Sequence, residues 1–284
     1  MTARVVLTDL DGTMLEPGGA ACTEVRSLLA RMRRRSIPVC PVTSKTVAEM
    51  RALTRRLGLW GPASFENGAG IVHGDGTVEF HPAAIPVARL VTAARRLRAA
   101  TGAPLRTMFE LDDADLAALT GLRGAALAAA RDRRATLPLV IDATWDDEVR
   151  AALPRRSRLR AVRGNRFLHL QGRHDKGDAV RSLVNAFSGR DGTTIACGDS
   201  PNDAEMLARA DVAVIVPGAA GPHPELLARF PRAVVAPFPH GRGWAAALRE
   251  LLAPDLRGAA ARGGGRGRGR EGCGHGGRGS RSDG

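Results

Sequence analysis

Residues 5–16 read VVLTDLDGTMLE, an apolar run that ends in two acidic residues, Asp9 and Asp11, with one leucine between them. Two carboxylates so close together repel each other, so the pair requires a cation or a proton nearby. A short apolar run of this kind favours a buried β-strand. In an open parallel sheet, ligands bind at the carboxyl ends of the strands. The stretch therefore predicts a buried strand with a charged site at its end.

Strand-like and helix-like stretches alternate on both sides of a long middle segment. After VVLTDL, the pattern predicts a helix over residues 24–35, a strand at IPVCPVT, a helix over residues 47–57 and a strand within ASFENGAGIV. Helix, strand, helix and strand follow again at KGDAVRSLVNAF, TTIACGD, PNDAEMLARA and VAVIVP. This order predicts an α/β fold with a Rossmann-like, doubly wound parallel sheet, to which both halves of the chain contribute.

The middle segment, residues 83–171, mixes helical and strand-like patterns and predicts an inserted α+β unit. The expected core is therefore in two parts, residues 1–82 and 172–256. Residues 257–284 are nearly all glycine and arginine, with almost nothing that could fill a core, and they predict a disordered tail.

The charge balance is strongly basic, with 42 Lys and Arg against 29 Asp and Glu and a formal net charge of +13. Such an excess of positive charge is typical of proteins that bind nucleic acid. The excess is almost all arginine, however, since lysine occurs only at Lys45 and Lys176. The Arg/Gly tail also lacks the interleaved aromatic residues that strengthen RNA binding, so nucleic acid is not an expected partner. An RNA-associated protein that acts through this tail stays open as an alternative.

Two further features bear on the cellular compartment. The four cysteines lie far apart without CxxC spacing, which indicates neither a zinc site nor a disulfide framework. The N-terminus has no signal-peptide pattern, and no apolar run approaches the ~20 residues that span a bilayer. We therefore expect a cytoplasmic protein that has no membrane contact.

Four motifs, DLDGT, TSKT, HDKGDA and GDSPND, each supply one part of a phosphoryl-transfer site. Such a transfer requires an in-line nucleophile, a divalent cation, donors to the phosphate oxygens and a proton for the leaving alcohol. Asp9 is the expected nucleophile, which forms an aspartyl-phosphate. Asp11 is expected to protonate the leaving oxygen and then to take a proton from the attacking water. Gly12 and Thr13 permit the tight turn that brings Asp11 back to the pocket.

A magnesium ion is the expected cofactor, because Mg²⁺ prefers oxygen ligands and needs few carboxylates. Asp9, the backbone carbonyl of Asp11 and Asp199 are the expected ligands. Asp203 and Asn202 are expected either to brace Asp199 or to reach the metal through water.

The transferring phosphate needs donors and positive charge. Thr43, the Ser44 amide and Asn202 are the expected phosphate contacts, and Lys176 is expected to place its charge beside both Asp9 and the phosphate. Lys45 is expected to bind a further anionic group of the substrate.

Each motif by itself also has a purely structural explanation. DxDG is typical of a turn, TSKT of a helix N-cap, and GDSPND of a strand-to-helix turn with Pro201 at the first helical position. Glu66 and Asn67 either bound the pocket floor or make a turn. His169 and His174 are more typical of hydrogen-bonded histidines than of catalysts. The appearance of all four motifs in order favours the functional interpretation.

These motifs resemble the haloacid dehalogenase superfamily of phosphohydrolases. The superfamily pattern is matched at Asp9, Asp11, Gly12, Thr13, Thr43, Lys176, Gly198, Asp199, Asn202 and Asp203. The resemblance implies that residues 83–171 form a cap domain, which closes over the core and selects the substrate.

A narrower resemblance is to the mannosyl-3-phosphoglycerate phosphatase family, on TSKTVAEM, FENGAGIV, ALTGLRGAALAAARDR, RFLHLQGRHDKGDAV and HGRGW. It implies a magnesium-dependent hydrolysis of mannosyl- or glucosyl-3-phosphoglycerate, which makes a compatible solute. The expected partner is this small phosphorylated sugar-glycerate, and the expected state is a monomer or a homodimer.

The substrate's carboxylate and sugar need contacts of their own. Lys45, Gln171, Arg173 and His174 are expected where core and cap meet, with arginine suited to a carboxylate, and Glu66 and Asn67 are further candidates. Two enzymatic alternatives remain open, since core residues do not fix the leaving group. One is another capped phosphatase for a hexose phosphate or a sucrose-phosphate type of ester, and the other is a phosphomutase.

Overall fold

The computed structural model describes residues 4–164, 166–187 and 193–256. Its centre is a five-stranded parallel sheet in the order β12-β11-β10-β1-β2. The predicted α/β fold with a parallel sheet built from both halves of the chain is thus confirmed. The strands of this sheet are β1 (Arg4–Thr8), β2 (Val39–Pro41), β10 (Thr193–Gly198), β11 (Val212–Ile215) and β12 (Val234–Val235).

Helices cover both faces of this sheet, as the alternating side chains of β1 require. Val6 packs into one apolar cluster, which includes α1 and α10, whereas Val5 and Leu7 pack into another, which includes α7 and α8. Successive strand residues point to opposite faces, so a strand buried on both sides is apolar throughout. The helices of the core are α1 (Thr23–Arg34), α2 (Val47–Leu57), α7 (Asp178–Asn185), α8 (Ala204–Ala208), α9 (Pro224–Arg229), α10 (His240–Leu251) and α11 (Ala253–Leu256).

The segment ASFENGAGIV differs from the expected parallel strand. It forms an antiparallel hairpin of β3 (Ala63–Phe65) and β4 (Gly70–Val72), which β5 (Val78–Phe80) extends to three strands. Its recorded pairing with the main sheet is one isolated bridge between Val42 and Ser64. The reason lies in the turn, because Glu66 and Asn67 adopt left-handed φ values of 47° and 58° and reverse the chain.

A second sheet, which we call the cap sheet, comes from within the middle segment. It is antiparallel in the order β6-β7-β9-β8, and β9 ends at Gly172, one residue beyond the expected insertion. One face is apolar, with Leu137 and Leu170 packed against α3 and α6 residues. The elements of this part are α3 (Val87–Thr101), β6 (Arg106–Thr107), α4 (Asp113–Thr120), α5 (Gly124–Arg131), β7 (Thr136–Val140), α6 (Asp146–Ala151), β8 (Leu159–Arg163) and β9 (Leu168–Gly172).

The two segments that join the cap sheet to the core touch each other. A Cβ atom on Gly172 would lie 2.0 Å from the carbonyl oxygen of Ala83, so only glycine allows this approach. The chain therefore leaves the core and returns to it at neighbouring points. No helix within the described residues is long and apolar enough to cross a membrane. The predicted tail, residues 257–284, lies outside the described residues.

Candidate active site

The carboxyl ends of β1, β2 and β10 bring three of the four motifs together, since these strands are neighbours in the parallel sheet. Asp9 directly follows β1, and its backbone amide donates to the carbonyl of Cys197 in β10 over 2.9 Å. Asp199 directly follows β10, and Thr43 follows the end of β2 by two residues. The order of the strands in the sheet thus brings motifs that are far apart in the sequence together at one site.

Three carboxylates form a cluster suited to a divalent cation. Asp9, Asp199 and Asp203 each offer a ligand atom, and these atoms lie within 4.8 Å of one another. The Thr13 hydroxyl donates to Asp199 Oδ1 over 2.6 Å, which orients that carboxylate. Hard oxygen donors at this spacing fit a cation such as Mg²⁺. The Asp11 side chain lies outside this cluster, and the predicted contact of its backbone carbonyl with the metal stays a prediction.

Asp203 is also held by the protein itself. Its Oδ2 accepts hydrogen bonds from the backbone amides of Asp199 and Ser200, each over 3.1 Å. Its Oδ1 faces Lys176. The expected role of Asp203 as a brace for the Asp199 segment is therefore consistent with these contacts.

Lys176 lies between two of the carboxylates. Its Nζ is 2.6 Å from both Asp9 Oδ1 and Asp203 Oδ1, and its side chain is 1% exposed. Burial acts to lower the pKa of Lys176, but the charges of Asp203 and Asp9 outweigh it and raise that pKa above its ordinary value. Burial raises the pKa of Asp9 well above its usual value, while Lys176 opposes that shift. The ammonium ion thus balances part of the negative charge at the predicted nucleophile.

Lys45 is paired with the predicted general acid. Its Nζ lies 2.7 Å from Asp11 Oδ2 and 3.5 Å from Glu49 Oε1. Burial would lower the pKa of Lys45, but the charges of Asp11 and Glu49 raise it. The ammonium is therefore paired with two carboxylates, and its predicted contact with a further anionic group of the substrate stays a prediction.

A cavity of about 260 Å³ opens above these groups, and it is bounded by both the core and the cap. Ser44 and Asn202, two of the predicted phosphate contacts, line it. Thr43, the third, is buried, and its hydroxyl accepts a hydrogen bond from the Lys45 amide over 3.3 Å. From the cap, the lining includes Met108, Arg133, Pro138, Arg166, Phe167 and His169.

A separate open cleft of about 510 Å³ lies on the cap around Arg106 and Ile141, and none of the clustered carboxylates lines it.

Four of the predicted substrate contacts lie at the junction of core and cap, which is where Gln171 and His174 were expected. Glu66, Asn67, Gln171 and His174 are buried, and none of them lines the cavity. Asn67 Nδ2 donates to Gln171 Oε1 over 3.1 Å, and Gln171 Nε2 donates to the carbonyl of His174 over 2.7 Å. These hydrogen bonds hold the groups outside the cavity lining, although Asn67 Oδ1 and His174 Nε2 have no hydrogen-bond partner among the described residues, and their contact with a substrate stays a prediction.

Arg173 is also misplaced by the prediction. It is exposed, and its Nη2 donates to the carbonyl of Arg155 over 3.2 Å, away from the cavity lining. In a strand, residues alternate between faces, and β9 puts His169 and Gln171 on one face. Arg173 lies beyond the end of this strand, and of these three residues only His169 lines the cavity.

Three residues that line the cavity were not predicted as site residues from the sequence. His169 was assigned no catalytic role, and Arg133 and His240 were not singled out. His240 lines the cavity, adopts a left-handed φ of 51°, and its Nδ1 lies 3.1 Å from the Gly12 carbonyl oxygen. The only sequence signal for His240 is the HGRGW stretch that begins α10.

Comparison with known proteins agrees with this geometry. A family model described as haloacid dehalogenase-like hydrolase matches residues 6–88 and 161–222, just over half of the chain. Among curated proteins, the chain is 26% identical over 262 residues to a glucosyl-3-phosphoglycerate/mannosyl-3-phosphoglycerate phosphatase from Persephonella marina, covering 87% of this chain and 97% of that one.

Solved structures show the same fold at lower identity. A haloacid dehalogenase-like hydrolase from B. subtilis superposes with a TM-score of 0.67 at 17% identity, covering 87% of this chain and 99% of the other. The sucrose-phosphatase from Synechocystis superposes with a TM-score of 0.59 at 19% identity, covering 90% and 98%. The family match, which spans the clustered carboxylates, establishes that the chain belongs to the haloacid dehalogenase-like hydrolases.

Proposed function

We propose that this protein is a magnesium-dependent phosphatase that hydrolyses glucosyl- or mannosyl-3-phosphoglycerate to the glycosylglycerate and phosphate. The observation that carries the proposal is the position of Lys176, 2.6 Å from Asp9, in a cluster of three carboxylates at the strand ends. A lysine next to a carboxylate nucleophile and a cation site is suited to phosphoryl transfer. Similarity to the Persephonella marina phosphatase supports the choice of substrate.

In the first step, a carboxylate oxygen of Asp9 attacks phosphorus and the ester P–O bond breaks. Asp11, whose side chain is 44% exposed, gives its proton to the leaving alcohol oxygen. The Ser44 amide and Lys176 hold the phosphate oxygens during the transfer. The products of this step are the free glycosylglycerate and an aspartyl-phosphate at Asp9.

In the second step, Asp11 takes a proton from a water molecule, whose oxygen attacks phosphorus and breaks the Asp9–phosphorus bond. This releases inorganic phosphate and restores both aspartates. Mg²⁺, when held by the cluster of Asp9, Asp199 and Asp203, screens the negative charge of the phosphate oxygens. Lys176 stays between Asp9 and Asp203 throughout and limits their repulsion.

We place the reaction in the cytoplasm, as a step that forms a charged compatible solute. Support comes from Cys22, Cys40 and Cys197, which are free thiols among the described residues.

Phosphate release tests this proposal. Purified protein with Mg²⁺ should hydrolyse glucosyl- or mannosyl-3-phosphoglycerate with a higher kcat/KM than glucose 6-phosphate or sucrose 6-phosphate. Asp9→Asn should abolish the release. A higher kcat/KM for either sugar phosphate would replace the proposed substrate, and an isomeric sugar phosphate in place of free phosphate would reveal a phosphomutase.

A further inference from the structure

The cations around the cavity differ in how their charges are balanced. Lys45 is paired with Asp11 and Glu49, and Lys176 with Asp9 and Asp203. Arg133 and Arg166 also line the cavity, and the structure records no ion pair between either of them and a carboxylate of residues 4–164, 166–187 and 193–256. Of these two, Arg166 is exposed, whereas Arg133 is half-buried. A half-buried guanidinium without a counter-ion indicates a site for an anion that arrives with the ligand.

Arg133 is held in place through only one of its nitrogens. Its Nη1 donates to the carbonyl of Ser44 and to the hydroxyl of Thr136, each over 2.9 Å. Ser44 belongs to the phosphate-binding loop of the core, whereas Thr136 begins β7 of the cap sheet. Nη2 has no hydrogen bond in the part of the chain that the structure describes. The side chain is therefore fixed beside the phosphate site and still has a donor to offer.

His169 marks the same wall as a ligand surface. It is 4% exposed, lines the cavity, and its Nδ1 lacks a hydrogen-bond partner among the described residues. Burial, together with the charge of Arg133, lowers the pKa of His169 to about 3, so the imidazole is neutral. Arg133 is thus accompanied by an uncharged polar group, and not by a carboxylate that would cancel its charge.

We propose that Arg133 is the residue that determines specificity for the leaving group, because its guanidinium binds a carboxylate on the alcohol portion of the phosphate ester. This inference rests on the proposed function, since a 3-phosphoglycerate ester carries such a carboxylate. Lys176 serves the phosphate on the core side, and Arg133 serves the second negative charge on the cap side. Hydrogen bonds between two charged groups are strong enough for the site to bind a ligand with a carboxylate more tightly than one with a neutral hydroxymethyl group.

Product inhibition provides a test that does not depend on which ester is the substrate. The hydrolysis of p-nitrophenyl phosphate by the wild-type protein would be measured in the presence of either glucosylglycerate or glucosylglycerol. In glucosylglycerol, a hydroxymethyl group replaces the carboxylate. The ratio of the two inhibition constants reports the carboxylate alone, since both compounds carry the same sugar. We expect glucosylglycerate to bind on the order of tenfold more tightly or better.

The variant Arg133→Gln should bring this ratio close to one, because glutamine keeps a donor but removes the charge. Arg134→Gln is the matched control, since the Arg134 side chain is exposed and outside the cavity lining. It should keep the wild-type ratio. A ratio near one in the wild-type protein overturns the inference even if Arg133→Gln does not fold. An unchanged ratio of the two inhibition constants in a folded Arg133→Gln protein also overturns the inference. This holds even if the variant hydrolyses p-nitrophenyl phosphate more slowly than the wild type does.

The two proposals fail in different ways. The wild-type protein could bind glucosylglycerate more tightly than glucosylglycerol and yet release no phosphate from glucosyl- or mannosyl-3-phosphoglycerate. That result would support the carboxylate site and contradict the proposed substrate. If those esters are hydrolysed but the inhibition ratio is near one, the substrate stands and the role of Arg133 falls.

Discussion

Glu66 Oε2 accepts hydrogen bonds from both the backbone amide and the hydroxyl of Thr136, over 2.7 and 2.9 Å, and so joins the core hairpin to the first residue of β7. The backbone amides of Arg134 and Ala135 donate to the same carboxylate, each over 2.9 Å. Four donors thus converge on a side chain that is fully buried. A carboxylate suits this place because both of its oxygens are acceptors.

Glu66→Gln should therefore destabilise the protein by roughly 2–4 kcal/mol, since the amide NH₂ would face donors that are left unsatisfied. Urea unfolding at neutral pH measures the free energy of unfolding. Glu79→Gln, at an exposed position of β5, is the control and should be close to neutral. Equal stability of Glu66→Gln and wild type would show that these hydrogen bonds contribute little.

Metal removal should abolish phosphate release, and metal binding should stabilise the folded protein. A ligand present at about 100 times its dissociation constant adds roughly 2.7 kcal/mol to the stability of the folded state. Mg²⁺ should therefore raise Tm of the wild type by roughly 5 °C or more. Asp199→Asn should lose most of this shift, whereas Asp147→Asn, 96% exposed on α6, should keep it. A full shift in Asp199→Asn would place the cation elsewhere.

Lys176→Met should lower kcat by roughly 10²–10³, the scale expected when a preorganised charge at a transition state is removed. The same change leaves Asp9 and Asp203 facing each other without the ammonium between them. Steady-state kinetics with saturating Mg²⁺ and p-nitrophenyl phosphate measure the effect. A raised KM with unchanged kcat would mean that Lys176 only helps to bind the phosphate ester.

His174 makes stability depend on pH. Burial lowers its pKa from 6.5 to about 4 in the folded protein. The unfolded chain therefore binds more protons between these values, and stability present above pH 6.5 is lost as the pH falls towards 4. At about 1.4 kcal/mol per pKa unit, the loss is roughly 3 kcal/mol. His169 adds a further loss of the same sign, since its pKa is also lowered.

His174→Gln should therefore show a shallower fall in the free energy of unfolding between pH 7.5 and pH 5 than the wild type does. Urea titrations at the two pH values give the comparison directly. The same slope in variant and wild type would contradict the pKa of His174 given above.

His240 combines a left-handed backbone with a contact to the catalytic loop. Left-handed φ costs a non-glycine residue roughly 1–2 kcal/mol, and glycine escapes this cost. His240→Gly should accordingly be more stable than His240→Ala by about 1 kcal/mol. Both variants lose the contact to Gly12, so both should lower kcat to a similar extent. A fall in kcat only in the glycine variant would implicate backbone freedom and not the imidazole.

The sequence predicted well which motif residues lie together, because strand order alone brings them to one place. Asp9, Thr43 and Asp199 each follow a strand of one parallel sheet, and parallel strands end at the same edge. No knowledge of loops or of side-chain packing was needed for this step. The apolar run at Val5, Val6 and Leu7 likewise indicated a strand that is buried on both faces.

Two further residues that line the cavity, Arg133 and His240, could not be predicted in this way. Arg133 meets Ser44 across 89 positions of the chain, and His240 meets Gly12 across 228. Such contacts depend on how the cap sits on the core, and no local pattern reports that arrangement. The hairpin at Glu66 and Asn67 was predicted as a strand for a different reason, because its apolar flanks resemble one continuous strand, although a turn at these two residues was one of the two interpretations.

The close approach of Gly172 to Ala83 has an evolutionary consequence. A module whose entry and exit lie side by side can be enlarged, shortened or exchanged without stretching the scaffold that carries the reactive carboxylates. Selectivity can then diverge through changes in the exchanged piece while the bond-breaking chemistry is inherited intact.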